Sequence, residues 1–206
     1  YDGTLAPIRS RPEEAVPSHR LCELLRTLGT DAANRVVICS GRDSGTLEKW
    51  FGGLPVSLAA EHGAFYKDRG AWRCNIRPAS WDPKLSALLE HFARKTPRSR
   101  IERKQTALAW HYREADSWLG QLRAQQLVNA LMPLCARLNL HILQGDKVVE
   151  IKSPRFTKGS ETLRLLRQER YDFILALGDD TTDDDMFAAL PPRALSIKIG
   201  NASEHA

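Results

Sequence analysis

Phe173-Ile174-Leu175-Ala176-Leu177-Gly178-Asp179-Asp180-Thr181-Thr182-Asp183-Asp184-Asp185 joins an unbroken apolar run to five carboxylates in seven residues. A short apolar run without alternation predicts a β-strand covered on both faces, as in a parallel sheet. In open α/β sheets ligands bind beyond the carboxyl ends of the strands, so these acids stand where chemistry is expected. Like charges this dense raise one another's pKa unless a cation neutralises them. Oxygen ligands with no His or Cys nearby favour Mg²⁺ or Ca²⁺ over zinc, and the lack of a twelve-residue calcium loop favours Mg²⁺. The same acids also suit the start of the following helix, where the dipole favours negative charge. The two uses are compatible, with Asp179 on the metal and Thr182 or Asp183 at the cap.

Outward from this stretch the chain alternates helix and strand at both ends. Residues 18–28 place Leu21, Leu24, Leu25 and Leu28 at helical spacing behind Ser18, a good N-cap. Arg35–Cys39 and Val56–Ala60 read as strands, with a short helix at Thr46–Phe51 between them. Ala64–Tyr66 and Ala71–Cys74 read as a hairpin around Asp68-Arg69-Gly70. Gly159–Gln168 and Thr182–Leu190 read as helices, and Leu195–Ile199 as a last strand. The middle differs. Its order is helix, two strands, a long helix at Asp116–Leu138, and a hairpin across Gly145-Asp146, the pattern of an independent α+β unit. The expected organisation is therefore an α/β core, residues 1–76 and 153–206, built on one Rossmann-like parallel sheet. Residues 77–152 form an inserted α+β cap.

Charge follows the same division. The net charge is +5, yet residues 76–152 hold 13 Lys and Arg against 7 Asp and Glu, so the basic excess lies in the middle. Six basic residues fall between Arg94 and Lys104, a run that would attract a phosphorylated ligand or only be solvated. Nucleic acid is not expected as a partner, because the run contains Pro97 and no interleaved aromatics. No apolar stretch approaches the length of a membrane span, so no membrane partner is expected. Cys22, Cys39, Cys74 and Cys135 are widely spaced and lack a C-x-x-C pair, which suits a reducing, cytoplasmic setting better than a disulfide framework.

Two other strand ends carry chemistry. Ser40-Gly41-Arg42 follows Arg35–Cys39 and offers a hydroxyl with backbone N–H groups at a helix start, a phosphate cradle. Tyr1-Asp2-Gly3-Thr4-Leu5 reads as the end of a strand whose body lies before Tyr1. Lys158 opens a helix. In this order, Asp2-Gly3-Thr4, Ser40, Lys158 and Gly178–Asp183 resemble the four motifs of the haloacid-dehalogenase superfamily. Further stretches are similar to the trehalose-6-phosphate phosphatases within it: Ala6-Pro7-Ile8, Glu61-His62-Gly63, Glu102-Arg103-Lys104, His111-Tyr112-Arg113 and Val149-Glu150-Ile151.

The resemblance implies Mg²⁺-dependent hydrolysis of trehalose 6-phosphate through an aspartyl-phosphate. It also implies a nucleophilic Asp immediately before Tyr1, a position this sequence does not contain, so the chain is expected to be part of something longer. Asp2 would be the general acid and base and, through its backbone carbonyl, a metal ligand beside Asp179. Lys158 and Ser40 would hold the phosphoryl group, Asp183 would position Lys158 or metal-bound water, and Asp180 would support the cluster. Glu102, Lys104 and Glu150 would bind the sugar, with Arg42 and His62 as further substrate contacts. His62 also suits a purely structural role in its turn, and His111 reads as packing. The partner implied is a small sugar phosphate, with fusion to or association with a trehalose-6-phosphate synthase. Two alternatives stand beside this reading: another capped sugar phosphatase, of the sucrose-phosphate or mannosyl-phosphoglycerate type, or a catalytically silent domain that senses sugar phosphates.

Overall fold

The computed structural model describes residues 1–68, 70–74 and 81–200. From the start of the chain come α1 (His19–Thr30), β1 (Val37–Cys39), α2 (Ser44–Phe51), β2 (Ser57–Ala60), β3 (Phe65–Lys67) and β4 (Arg73–Cys74). The middle holds α3 (Pro83–Arg94), β5 (Arg100–Arg103), β6 (Ala107–His111), α4 (Ser117–Leu138), β7 (His141–Gly145) and β8 (Val148–Lys152). The last stretch holds α5 (Lys158–Gln168), β9 (Leu175–Gly178), α6 (Thr181–Ala188) and β10 (Leu195–Lys198). The chain divides into two compact units, Tyr1–Ile76 with Arg155–Ala206, and Arg77–Pro154. The expected boundary at residues 76–77, and Arg69 of the expected hairpin turn, lie outside the described residues.

Local chemistry sets the helix starts. Ser18 caps α1 by accepting from the Leu21 N–H, and Asp82 and Asp116 do the same for α3 and α4. Pro83 takes the first turn of α3, where its missing N–H costs nothing. α4 ends on Asn139 in the left-handed conformation, which Asn tolerates better than most residues.

In the first unit β1 and β2 pair in parallel, and β3 and β4 continue that sheet antiparallel. β9 and β10 form a second parallel pair. The sequence predicts one parallel sheet; among the described residues the two pairs are separate. A cleft of about 250 Å³ runs beside both, lined by Tyr1, Val37, Cys39, Leu165, Leu175 and Leu177 among others. The stretch read as buried on both faces is also corrected. Leu175 and Leu177 are 48% and 40% exposed, and Phe173 lies before the strand. The cause is one-sided cover. A Cβ on Gly178 would meet Asp183 of α6, so α6 covers the face bearing Ala176 and Gly178. The opposite face carries Leu175 and Leu177 in register with Leu195 and Ile197.

The second unit is an antiparallel sheet in the order β5-β6-β8-β7. One face carries Leu108, Trp110, Val149 and Ile151, which join Leu85 and Leu89 of α3 and Leu127 and Leu131 of α4 in one apolar core. Period-two alternation sends the intervening residues to the other face. There Glu102, Ala109 and Glu150 lie in one row across β5, β6 and β8.

Candidate active site

The acidic stretch is divided between architecture and chemistry. Asp180 is the N-cap of α6, accepting from the Thr182 and Asp183 N–H groups and from the Thr182 hydroxyl. The cap expected at Thr182 or Asp183 therefore lies earlier, because a carboxylate at the first position reaches both orphan amides at once. Asp183 is buried. Its Oδ2 accepts from the Asp179 and Asp180 amides at 3.1 and 3.2 Å, and its Oδ1 accepts from Lys158 Nζ at 2.7 Å. Lys158 is only 5% exposed and also lies 3.5 Å from Asp180. Burial pushes the Lys158 amine down, but the carboxylates of Asp180 and Asp183 outweigh it and hold its pKa above the ordinary value. Lys158 is thus a cation fixed in place at neutral pH.

Asp179 is placed differently. Its Oδ1 accepts from the Thr4 hydroxyl at 2.7 Å, which joins the end of β9 to the first residues of the chain. Gly3 makes the approach feasible: its φ is +79°, and a Cβ there would collide with the Asp179 carboxylate. Burial first, and then the charges of Asp180 and Asp183, raise the Asp179 pKa against the lowering effect of the Thr4 bond.

Asp2 is gripped by Arg42, with Nε on Oδ2 at 2.8 Å and a terminal nitrogen on Oδ1 at 2.6 Å. The guanidinium also donates to the Pro12 carbonyl and stacks over Trp50, 4.4 Å from the ring centroid. The residue expected at the substrate therefore spans the general acid candidate and the core.

Ser40 is buried, with its hydroxyl accepting from the Arg42 N–H at 3.2 Å. The expected phosphate cradle at a helix start is corrected here. α2 begins at Ser44, and Asp43 already caps it by accepting from the Thr46 N–H and hydroxyl. The neighbouring turn is Glu61-His62-Gly63. The His62 amide donates to the Ser40 carbonyl at 3.0 Å and the Glu61 amide to the Arg42 carbonyl at 2.9 Å. Glu61 and His62 hold φ values of +46° and +60°, strain of a kind that concentrates at functional sites.

In the second unit Lys104 Nζ lies 3.2 Å from Glu150 and 4.0 Å from Glu102. The three sugar-site candidates are thus brought onto one sheet face. His111, read as packing, lies 2.7 Å through Nε2 from Glu102 Oε2. A signal for it existed in the sequence: Glu102 and His111 sit on adjoining antiparallel strands, two residues out of register. Burial raises the Glu102 pKa, but the His111 hydrogen bond and the Lys104 charge carry it below the usual range.

All four cysteines are free thiols. No helix among the described residues is long and apolar enough to cross a membrane.

Comparison with known proteins gives the family of the chain. The family model described as trehalose-phosphatase matches residues 1–205. The chain is 42% identical over 216 residues to a trehalose-phosphatase of Zygosaccharomyces rouxii, covering 92% of this chain and 24% of that protein. It is 40% identical over 203 residues to a bifunctional trehalose-6-phosphate synthase/phosphatase of Thermoproteus tenax, covering 97% and 28%. The chain thus spans about a quarter of the length of these relatives. Among solved structures, the C-terminal domain of trehalose-6-phosphate phosphatase from C. albicans superposes with a TM-score of 0.85 at 38% identity, covering 92% of this chain and 70% of that one. With its Rossmann-like core of haloacid-dehalogenase type and its α+β cap, the chain belongs to the trehalose-phosphatase family.

Proposed function

We propose that this chain is the phosphatase part of an enzyme that hydrolyses trehalose 6-phosphate to trehalose and phosphate. The observation that carries the proposal is the seating of Asp179 against the Asp2-Gly3-Thr4 turn, with Lys158 locked by Asp183 in the same unit. On this reading the Asp2-Gly3-Thr4 turn, the start of α5 and the end of β9 would supply a proton-transfer carboxylate, a fixed cation and a metal-binding carboxylate.

Asp2 would protonate the leaving sugar oxygen as the P–O bond breaks, then take a proton from the water that attacks next. Arg42 orients its carboxylate for both roles. The nucleophile would be an Asp immediately before Tyr1, giving an aspartyl-phosphate. Lys158 would neutralise charge on the phosphoryl oxygens, which favours the transition state most in an enclosed site. Ser40 would donate its hydroxyl to the same group.

The donor set fits a hard divalent cation. Burial and neighbouring carboxylates raise the Asp179 pKa, and a cation there would relieve the repulsion. Among the described residues no three His, Cys, Asp or Glu side chains are grouped as a metal set. The remaining donors would be the Asp2 carbonyl, the preceding Asp and water. Mg²⁺, when bound, supplies charge stabilisation to the phosphoryl group. EDTA should abolish phosphate release, and Mg²⁺ added back should restore it.

The cap residues Glu102, Lys104 and Glu150 would hold sugar hydroxyls, for which charged groups make the stronger hydrogen bonds. The bifunctional relative supports fusion to a trehalose-6-phosphate synthase. Phosphate release from trehalose 6-phosphate, sucrose phosphate and mannosyl-phosphoglycerate tests the substrate. A kcat/KM for trehalose 6-phosphate no higher than for the other two would refute it, and no release from any would leave a binding domain.

A further inference from the structure

The polar face of the cap sheet has an arrangement that the motifs alone do not explain. Across β5, β6 and β8 the row is Glu102, Ala109, Glu150, and one step along β6 on the same face stands His111, opposite Arg100. Ala107 and Ala109 are the central residues of this face, so two methyl groups form its floor. Longer polar side chains rise around them: Glu102, Lys104, Glu150 and His111. Within this rim the contacts are unequal. Lys104 lies closer to Glu150, at 3.2 Å, than to Glu102, at 4.0 Å, whereas His111 Nε2 reaches Glu102 at 2.7 Å. Both contacts to Glu102 fall on Oε2. An ionised carboxylate only accepts hydrogen bonds, so His111 must donate, and it does so whether neutral with the proton on Nε2 or doubly protonated.

We propose that His111 is a positioning residue for substrate recognition: its hydrogen bond fixes the Glu102 carboxylate over the alanine floor, so that Oε1 meets the sugar hydroxyls. This rests on the reading of the cap face as the sugar site. The alternative geometry is close at hand. Lys104 already stands 4.0 Å from Glu102, and without His111 holding the same oxygen the two would close on each other. That collapse would withdraw two of the three sugar ligands together.

The test compares His111→Ala, His111→Gln, Glu102→Ala and the double variant in the complete protein. KM and kcat are measured for trehalose 6-phosphate and for p-nitrophenyl phosphate, which carries no sugar. A charge-assisted hydrogen bond supports a rise of about tenfold in the KM for trehalose 6-phosphate, relative to any change for p-nitrophenyl phosphate, in His111→Ala. His111→Gln keeps an N–H donor and should recover part of that loss. In the Glu102→Ala background, His111→Ala should add little, because its partner is already gone. Equal losses on both substrates, or a full His111→Ala penalty in the double variant, would overturn the proposal. If His111→Ala does not fold, the KM difference between His111→Gln and His111→Leu decides it in the same way. The two readings fail separately. A normal trehalose 6-phosphate KM in Glu102→Ala sinks the sugar site itself. A raised KM there with a normal one in His111→Ala sinks only the positioning role.

Discussion

Asp179 and Asp183 are four residues apart, yet their surroundings assign them opposite tasks. Asp183 accepts from two backbone amides and from Lys158, so its charge is fully answered inside the protein. Asp179 receives one hydroxyl and faces two other carboxylates, so ionising it costs stability unless a cation arrives. The sign follows from its raised pKa: stability falls as pH rises from the ordinary value near 3.8 through the folded one. Asp179→Asn should therefore raise the melting temperature measured without Mg²⁺, since an amide oxygen still accepts from Thr4. The same change should lower kcat by about 10²-fold or more, the scale of losing one electrostatic contributor. A variant that is destabilised without metal would mean that Asp179 is a structural acid. Asp2→Asn separates chemistry from fold in another way. On the proposed roles its carbonyl would stay for the metal and only proton transfer would be lost, so turnover should drop by about 10² to 10⁴-fold with near-normal Mg²⁺ binding. The sequence already sets Asp179 apart for a metal and, through the family resemblance, Asp183 beside Lys158. Composition gave their number and their place after a strand, but which oxygen meets which amide depends on how α6 begins.

At the scale of elements, the start of α6 couples a cap to a buried cation. Lys158 opens α5, and Asp180 and Asp183 flank the first turn of α6, so the ion cluster ties two helices that the sequence separates by β9. Enclosure raises the Asp180 pKa, but Lys158 and the hydrogen bonds at the cap carry it well below the carboxylate range. Its contribution is therefore in place above about pH 3.8 and is lost as pH falls through the folded value. Lys158, raised above 10.5, contributes below that pH and loses its share as pH climbs through its folded value. Asp180→Ala should cost about 1 kcal/mol at neutral pH, mainly for the cap. The charged part is discounted because about half of the Asp180 side chain still faces solvent, which screens it even though its other side is enclosed. In urea titrations the gap between wild type and variant should hold from about pH 5 to 9 and narrow near pH 2. A gap that widens in acid would contradict the cap. Helix periodicity located α3 and α4 from sequence because each buries an apolar stripe, whereas α1 buries only Leu25 and α5 buries Lys158, Glu161 and Thr162. Caps were harder, since Asp, Thr and Ser compete within two positions and the winner is set by backbone geometry.

For the whole molecule, the change from alternating helices and strands to a helix–strand–strand order is what marks the middle unit off in the sequence. It did not foretell two separate parallel pairs. An apolar run reads the same whether one face or both are covered, and β9 and β10 leave Leu175, Leu177, Leu195 and Ile197 exposed on one side. In the cap unit the apolar face of the sheet is covered by α3 and α4. Trp110, Leu108, Leu127, Leu131 and Ile151 are fully buried there, and α3 and α4 supply the rest of the cluster. A unit of that kind meets the requirement for folding alone: its own core, an antiparallel sheet of four strands and two long helices. Residues 77–154 expressed by themselves should therefore show a cooperative thermal transition with mixed helix and strand circular dichroism. Leu131→Ala should lower the stability of that fragment by about 2 to 5 kcal/mol, the cost of an unfilled cavity in a packed core. In the complete protein the same substitution should shift the cap transition while hydrogen exchange at Leu47, Leu58 and Ala60 of the core unit stays as it was. Loss of protection at those core amides in step with the cap would mean that the two units unfold as one, and that the cap is no independent module.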